Sequence, residues 1–285
     1  MWTGSKKIKI LHKFHASCDS DIAEPHITDC VVNPENGELA VVDQRNKVVK
    51  LYALKTGQHV GSFGHDAYPR LKAPWSISAF EDGRYAVSDV RTSSVKIFSH
   101  DGRFERNISH GRLSHPRGIA VSLRGYFAIT DSPPLAEKQR VHIFDRDGVL
   151  LQTIPGPEIR NSTFQRPLHV AIDERHNTVA VLDALESCVK AYDLNGRPIF
   201  QYGSYGSDEQ QLASPTGICS DKSGNFFVAD FANHRVHVVR AGIHIDYAAG
   251  KADGVRYPAA VTTSRDYNLV ICDQGGVVRV FEMRR

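Results

Sequence analysis

One unit recurs along this chain: a proline, an apolar run, a turn, and a second apolar run closed by an aspartate. Pro25, Pro74, Pro116, Pro167, Pro215 and Pro258 open the copies, at intervals of roughly 40–50 residues, the length of a propeller blade. The second runs are LAVVD, YAVSD, FAITD, VAVLD, FFVAD and LVICD, ending on Asp43, Asp89, Asp131, Asp183, Asp230 and Asp273. They are nearly all apolar rather than alternating, which suits strands covered on both faces. The fullest copy, Pro215 to Gly250, reads strand, turn, strand, loop, strand, turn, strand. A four-stranded sheet alone leaves two apolar faces in water, so it must stack on copies of itself. The expectation is an all-β, six-bladed β-propeller occupying residues 1–285 as a single domain.

The ends of the chain complete each other. KIKILHKFHA near the start has a strand pattern but no blade, and the last copy stops after its third strand, VVRVFEM. A strand over residues 7–14 is therefore expected to become the fourth strand of the last blade and close the ring. Residues 1–6 are expected to lie outside it, disordered. So abrupt a start suggests a propeller excised from a longer chain.

Composition narrows the setting. No apolar run reaches the roughly 18 residues of a membrane-spanning helix, and MWTGSKK lacks the apolar core of a signal peptide. The cysteines form no CxxC and no disulfide-like spacing. Cys30, Cys188, Cys219 and Cys272 fall within expected strands as small apolar residues. This argues for a reducing compartment, the cytoplasm. The net charge of +3 is too small to imply a polyanionic partner by itself, so the placement of the charges decides more.

With strands a to d counted from the inside out, the d–a and b–c loops share one face of the ring. The a–b and c–d turns share the other. The second face carries tight glycine turns such as Asn36-Gly37 and Asn195-Gly196, which are structural. The first carries longer loops, where binding residues usually sit. Blades two to four are entered through Arg70, Lys72, Arg112, Arg117, Arg160 and Arg166, interleaved with Tyr68, Trp75, His115, Phe164 and His169. Lys251, Arg256 and Tyr257 enter the sixth, and the b–c loops add Arg91, Phe231, His234 and Arg235. Cations for phosphates and flat side chains for bases suit single-stranded nucleic acid. The candidate phosphate contacts are Arg70, Lys72, Arg112, Arg160, Arg166, Arg235 and Arg256. The candidate base stackers are Tyr68, Phe164, Phe231 and Tyr257. The same loops would also suit an acidic or peptide partner, with Trp75 or Tyr205 as its anchor.

Catalytic and metal readings are weaker. A carboxylate at the end of every second strand could ring a cation, but its recurrence in all copies favours hydrogen bonding to its own b–c turn. A lactonase or lyase with a metal over the central channel stays open as a third reading. No Walker motif or dinucleotide fingerprint is present, and no catalytic residue, metal or cofactor is expected.

The motifs resemble a known repeat. Pro215-Thr216-Gly217-Ile218, Val228-Ala229-Asp230 and Asn233-His234-Arg235-Val236 look like the NHL repeat. Pro116-Arg117-Gly118-Ile119, Thr130-Asp131 and Arg140-Val141 follow it next best. In the other blades Val48, Ser94, Cys188 and Val277 stand where Arg235 does. Six such copies resemble the tail domain of TRIM-NHL proteins. That resemblance implies a platform for RNA, namely mRNA untranslated regions, and for protein co-repressors, serving post-transcriptional repression. Ubiquitin ligase activity in that family belongs to a RING segment, and this sequence has none.

Overall fold

Five of the six repeat prolines open an inner strand, a position where the missing N–H disturbs no ladder, and Pro25 stands two residues ahead of the first one. The computed structural model describes residues 8–65, 69–108, 111–134, 139–155 and 164–283. β1 (Ile8–His15) precedes the first blade, which is β2 (Ile27–Val32), β3 (Glu38–Asp43), β4 (Val48–Ala53) and β5 (His59–Phe63). Blade two is β6 (Pro74–Ala79), β7 (Tyr85–Asp89), β8 (Ser94–Phe98) and β9 (Phe104–Ile108). Blade three is β10 (Pro116–Val121), β11 (Phe127–Asp131), β12 (Arg140–Phe144) and β13 (Leu150–Ile154). Blade four is β14 (Pro167–Asp173), β15 (Thr178–Asp183), β16 (Cys188–Asp193) and β17 (Pro198–Tyr202). Blade five is β18 (Pro215–Ser220), β19 (Phe226–Asp230), β20 (Arg235–Arg240) and β21 (Ile243–Ala249). Blade six has β22 (Pro258–Thr263), β23 (Asn268–Asp273) and β24 (Val277–Met283) from the end of the chain.

β1 is the fourth strand of that sixth sheet, as the unpaired N-terminal pattern implied. It runs antiparallel to β24, from Ile8 opposite Met283 to His15 opposite Val277. The fold is thus a closed six-bladed β-propeller.

The core lies between blades. Each of the apolar clusters draws on two neighbouring sheets. Val49 and Phe63 of blade one meet Tyr85 and Phe98 of blade two. Val41 and Tyr52 of blade one meet Val270 and Val280 of blade six. Burying each such side chain stabilises the ring by about 1.5–3 kcal/mol. This explains the continuous apolar runs of the second strands, which have a neighbour on either side. Cys30 in β2, Cys188 in β16 and Cys272 in β23 are buried, while Cys219 in β18 is partly exposed.

The inner strands pass close to one another around the channel. A Cβ on Gly118 would lie 2.5 Å from the His169 Cα, so the glycine of Pro-x-Gly-Ile answers to the neighbouring blade. Hydroxyls link adjacent inner strands: Val121 N–H donates to Ser78 Oγ at 3.0 Å, and Ser220 Oγ donates to Ile172 O at 2.7 Å. The tight turns of the far face have the left-handed backbone that glycine favours, as at Gly57 (φ 74°) and Gly196 (φ 81°).

Candidate nucleic-acid interface

The face is built by a link that repeats in every blade. A residue just after each rim aspartate donates its N–H to a carbonyl of the d–a loop: the next residue in five blades, Gln44 to His26, Val90 to Ala73, Ser132 to His115, Ala184 to Arg166 and Gln274 to Tyr257, and the second in blade five, Ala232 to Ala213. Both loop types therefore meet on one face, as the strand order required.

The rim aspartates do more than cap their own turns. Asp89 accepts from the N–H groups of Lys72 and Ala73, Asp131 from those of Ser114 and His115, and Asp183 from those of Gln165 and Arg166. The d–a loop is the main donor in these blades, which corrects the expectation of a b–c partner. The b–c turn contributes at Asp43 through Asn46 and at Asp183 through Glu186. Each carboxylate also faces a cation or imidazole from the third strand. The pairs are Lys50–Asp43 (2.8 Å), Lys96–Asp89 (3.0 Å), His142–Asp131 (3.9 Å), Lys190–Asp183 (3.4 Å), His237–Asp230 (3.1 Å) and Arg279–Asp273 (3.3 Å). Asp43 lies opposite Val48, so Lys50, two residues further along the strand, projects from the same sheet face and reaches it diagonally.

This column escaped the sequence reading, yet it is written there as VVK, SVK, RVH, CVK, RVH and VVR at the start of the third strands. The carboxylates are thus engaged within their blades. Burial pushes the Asp43 carboxyl up, but hydrogen bonds from Asn46 and Lys50 more than reverse this and hold it below its ordinary range. Asp230 is likewise raised by burial and brought below its ordinary range by His237, the Ala213 N–H, Asn233 and Arg235. Burial lowers Lys96, against the opposing charge of Asp89.

The candidate cations separate on this geometry. Arg70, Lys72, Arg112 and Arg166 are exposed, and their side chains make no hydrogen bond among the described residues. Arg235 is not among the free ones. Its guanidinium donates to Asp230, the Tyr247 hydroxyl and the carbonyls of Asp208 and Gln211 at 2.7–2.9 Å. It also sits 4.7 Å from the Tyr247 ring centroid, so it braces the loop entering blade five and is withdrawn as a phosphate contact. Arg256 is exposed, with Nη1 held by the carbonyls of Lys251 and Val255. Arg160 lies outside the described residues.

The aromatic candidates separate too. Phe164 is wholly buried and packs edge-on against Tyr192, so it belongs to the core between blades three and four and cannot stack a base. Phe231 and Tyr257 do come together, with ring centroids 5.2 Å apart, and His234 stands edge-on 4.2 Å from Tyr257. Tyr257 is 52% exposed. Tyr68 lies outside the described residues. One face of Trp75 is taken by the Arg117 guanidinium at 4.3 Å, which makes it a packing residue. Three exposed apolar side chains complete the face: Ile22, Leu185 and Tyr205, the last 78% exposed.

Inside the channel, Asp29, Ser76 and His169 from blades one, two and four converge. Asp29 Oδ2 accepts from Ser76 Oγ at 2.6 Å and lies 3.1 Å from His169 Nε2. Ser76 Oγ is 3.5 Å from that same nitrogen. A proton relay needs acid and nucleophile on opposite imidazole nitrogens, so this is a brace across the channel rather than a charge relay. Burial opposes charging of His169, but Asp29 outweighs it and raises the imidazole above its ordinary value. Among the described residues no cluster of His, Cys, Asp and Glu could hold a metal ion, and no helix is long and apolar enough to cross a membrane.

Comparison with known proteins identifies an NHL repeat at residues 212–239, the copy that matched the pattern most fully. The fold is similar to the chain solved in a nidogen/laminin complex, with TM-score 0.66 and 16% identity over 84% of this chain and 85% of that one. It is similar to Kuenenia stuttgartiensis hydrazine synthase, with TM-score 0.63 and 13% identity over 92% of this chain and 98% of that one. A streptogramin B lyase superposes with TM-score 0.67 and 12% identity over 96% of this chain and 98% of that one. At these identities the similarity is one of fold, which hosts unrelated functions.

Proposed function

We propose that this propeller binds RNA, single-stranded or as a small stem-loop, on the d–a/b–c face. In this reading it is the RNA-binding platform of a TRIM-NHL-type repressor. It would act without catalysis on mRNA untranslated regions in the cytoplasm, together with protein co-repressors. One observation carries the reading. Four exposed cations without hydrogen-bond partners among the described residues, Arg70, Lys72, Arg112 and Arg166, share a face with the Phe231–Tyr257–His234 cluster. In contrast, the lysines and arginines of the rim column are spent on their own aspartates. Phosphate contacts give affinity that falls steeply with salt, and ring faces stack bases without sequence preference.

Anisotropy titration of a randomised short RNA pool at low and moderate salt tests this. Each of Arg112→Ala and Arg166→Ala is expected to weaken binding and to reduce the salt slope by about one. Tyr257→Ala is expected to weaken it without changing that slope. A charge-reversed Arg112/Arg166 pair that binds RNA with the wild-type slope would remove the assignment.

A second reading is favoured by Ile22, 87% exposed, and Tyr205, 78% exposed, on the same face. These are anchors of the kind a protein partner buries. A protein platform would show binding that survives high salt and is lost with Tyr205→Ala.

A further inference from the structure

The rim column repeats around the ring, and this lets one blade serve as the control for another. In blade one, Lys50 Nζ reaches Asp43 and a second carboxylate, Asp21, at 2.7 Å. In blade four, Lys190 Nζ meets Asp183 and a second carboxylate, Glu186, at 2.7 Å. In both places one lysine faces two acids. Blade two breaks the pattern. Lys96 has Asp89 as its carboxylate, and its remaining partners are the hydroxyls of Thr92 and Ser94. Where blade one brings in Asp21 from its d–a loop, blade two brings in Arg70 and Lys72.

The result is a pocket of 380 Å³ lined by Arg70, Lys72, Thr92, Ser94, Lys96 and Asn107, with Pro69 at its edge. That volume lies in the range of small-ligand sites. Among the described residues no carboxylate lines it, and three cations stand against the single charge of Asp89. Lys96 is 2% exposed and has its three N–H donors engaged, so it supplies field rather than contacts. Arg70 and Lys72 supply the free donors. The Lys72 backbone N–H is committed to Asp89 at 2.8 Å, which fixes where its side chain leaves the loop.

Among the described residues, two positive charges of the pocket are left uncompensated. A phosphodiester inside a strand carries one negative charge, whereas a terminal phosphomonoester carries close to two at neutral pH. We infer that this blade-two pocket holds the terminal phosphomonoester of a bound RNA, so that the propeller reads a strand end as well as its length. The inference rests on the RNA reading above and adds to it a named subsite and a preferred terminus.

The test uses one short RNA prepared with a 5′-phosphate, a 3′-phosphate or hydroxyls at both ends, titrated against the whole chain. Wild type is expected to prefer one phosphorylated form over the hydroxyl form by about tenfold, the worth of a charge-assisted hydrogen bond or two. Arg70→Ala/Lys72→Ala is expected to erase that preference while hydroxyl-ended RNA still binds through Arg112 and Arg166. Asn107→Asp, which returns a carboxylate to the pocket without touching the Lys96 partners, is expected to erase it too.

Equal affinity for phosphorylated and hydroxyl-ended RNA in the wild type would overturn the subsite and leave RNA binding standing. A preference that persists in both variants would overturn it as well. If no RNA form binds but a phosphoserine peptide does, and is lost in Arg70→Ala/Lys72→Ala, both the subsite as stated and the RNA reading fail together.

Discussion

Lys50 and Arg70 are both cations of the same face, and their surroundings set them to opposite uses. The Lys50 side chain is wholly buried and bonded to Asp43, Asp21 and the Ala16 carbonyl. Taking a charge out of water is costly, and the carboxylates offset that cost only while both members are present. Lys50→Met is therefore expected to destabilise the ring by about 3–5 kcal/mol, read as a shift of the urea midpoint at constant slope. A loss under about 1 kcal/mol would mean that the carboxylates relax into water. Arg70 is exposed, and its replacement should leave that midpoint unmoved. Nothing in the local sequence separates such residues. Arg235 sits in the best-matched motif of the chain, yet it is consumed by Tyr247, Asp208 and Gln211, from segments that only the fold brings near. Phe164 failed as a stacker for the same reason: a loop aromatic and a core aromatic look alike until the partner, here Tyr192, is known.

Strands were far more legible than sites. An apolar run closed by aspartate states both that a strand is covered on two faces and where it ends, because the carboxylate is needed to hold the loop that enters its own blade. The closing strand was legible by subtraction, since β24 had no partner in sequence and β1 had no blade. β1 adds Phe14, whose ring lies 5.1 Å from Tyr52 of blade one, so it joins two blades as well as two ends. Removing residues 1–15 is expected to bare the β24 edge and lower the melting temperature of the whole ring in a single transition, with concentration-dependent association through the open edge. A truncated chain that melts like the full one and stays monomeric would contradict this. The third-strand cation column was legible too, but only by aligning six copies on their aspartates.

For the whole molecule, acid stability is the sum of groups titrating in opposite senses. Burial lowers His142 and His237 below the ordinary histidine value. His237 is held neutral, with Tyr202 at 2.7 Å on Nδ1 and Asp230 on Nε2. The unfolded chain protonates these groups below about pH 6.5, before the folded chain does, so stability falls as pH drops through that value toward the folded pKa. Asp43 and Asp230, held low in the fold, add stability that is present above about pH 4 and is lost on further acidification. His169 runs the other way. Raised in the fold by Asp29, it contributes fully below about pH 6.5 and is lost as pH rises through its folded value. Melting temperatures at about pH 7.5 and about pH 5 should therefore converge in His237→Gln and diverge further in His169→Gln. Identical pH slopes in the two variants would show that neither histidine is titrating as its contacts require.

The pairing of β1 with β24 also sets a clock. Of the propeller's strands β1 is the first to leave the ribosome, and its partner is the last. Throughout synthesis the growing chain is an open arc whose leading strand has an unsatisfied edge. Blade contacts can accumulate between neighbours, but the ring can lock only once β24 is free to pair, by a long-range closure that is slow. A nascent propeller of this kind offers its open edge to chaperones, or to a sister chain on the same message, until β24 has been made.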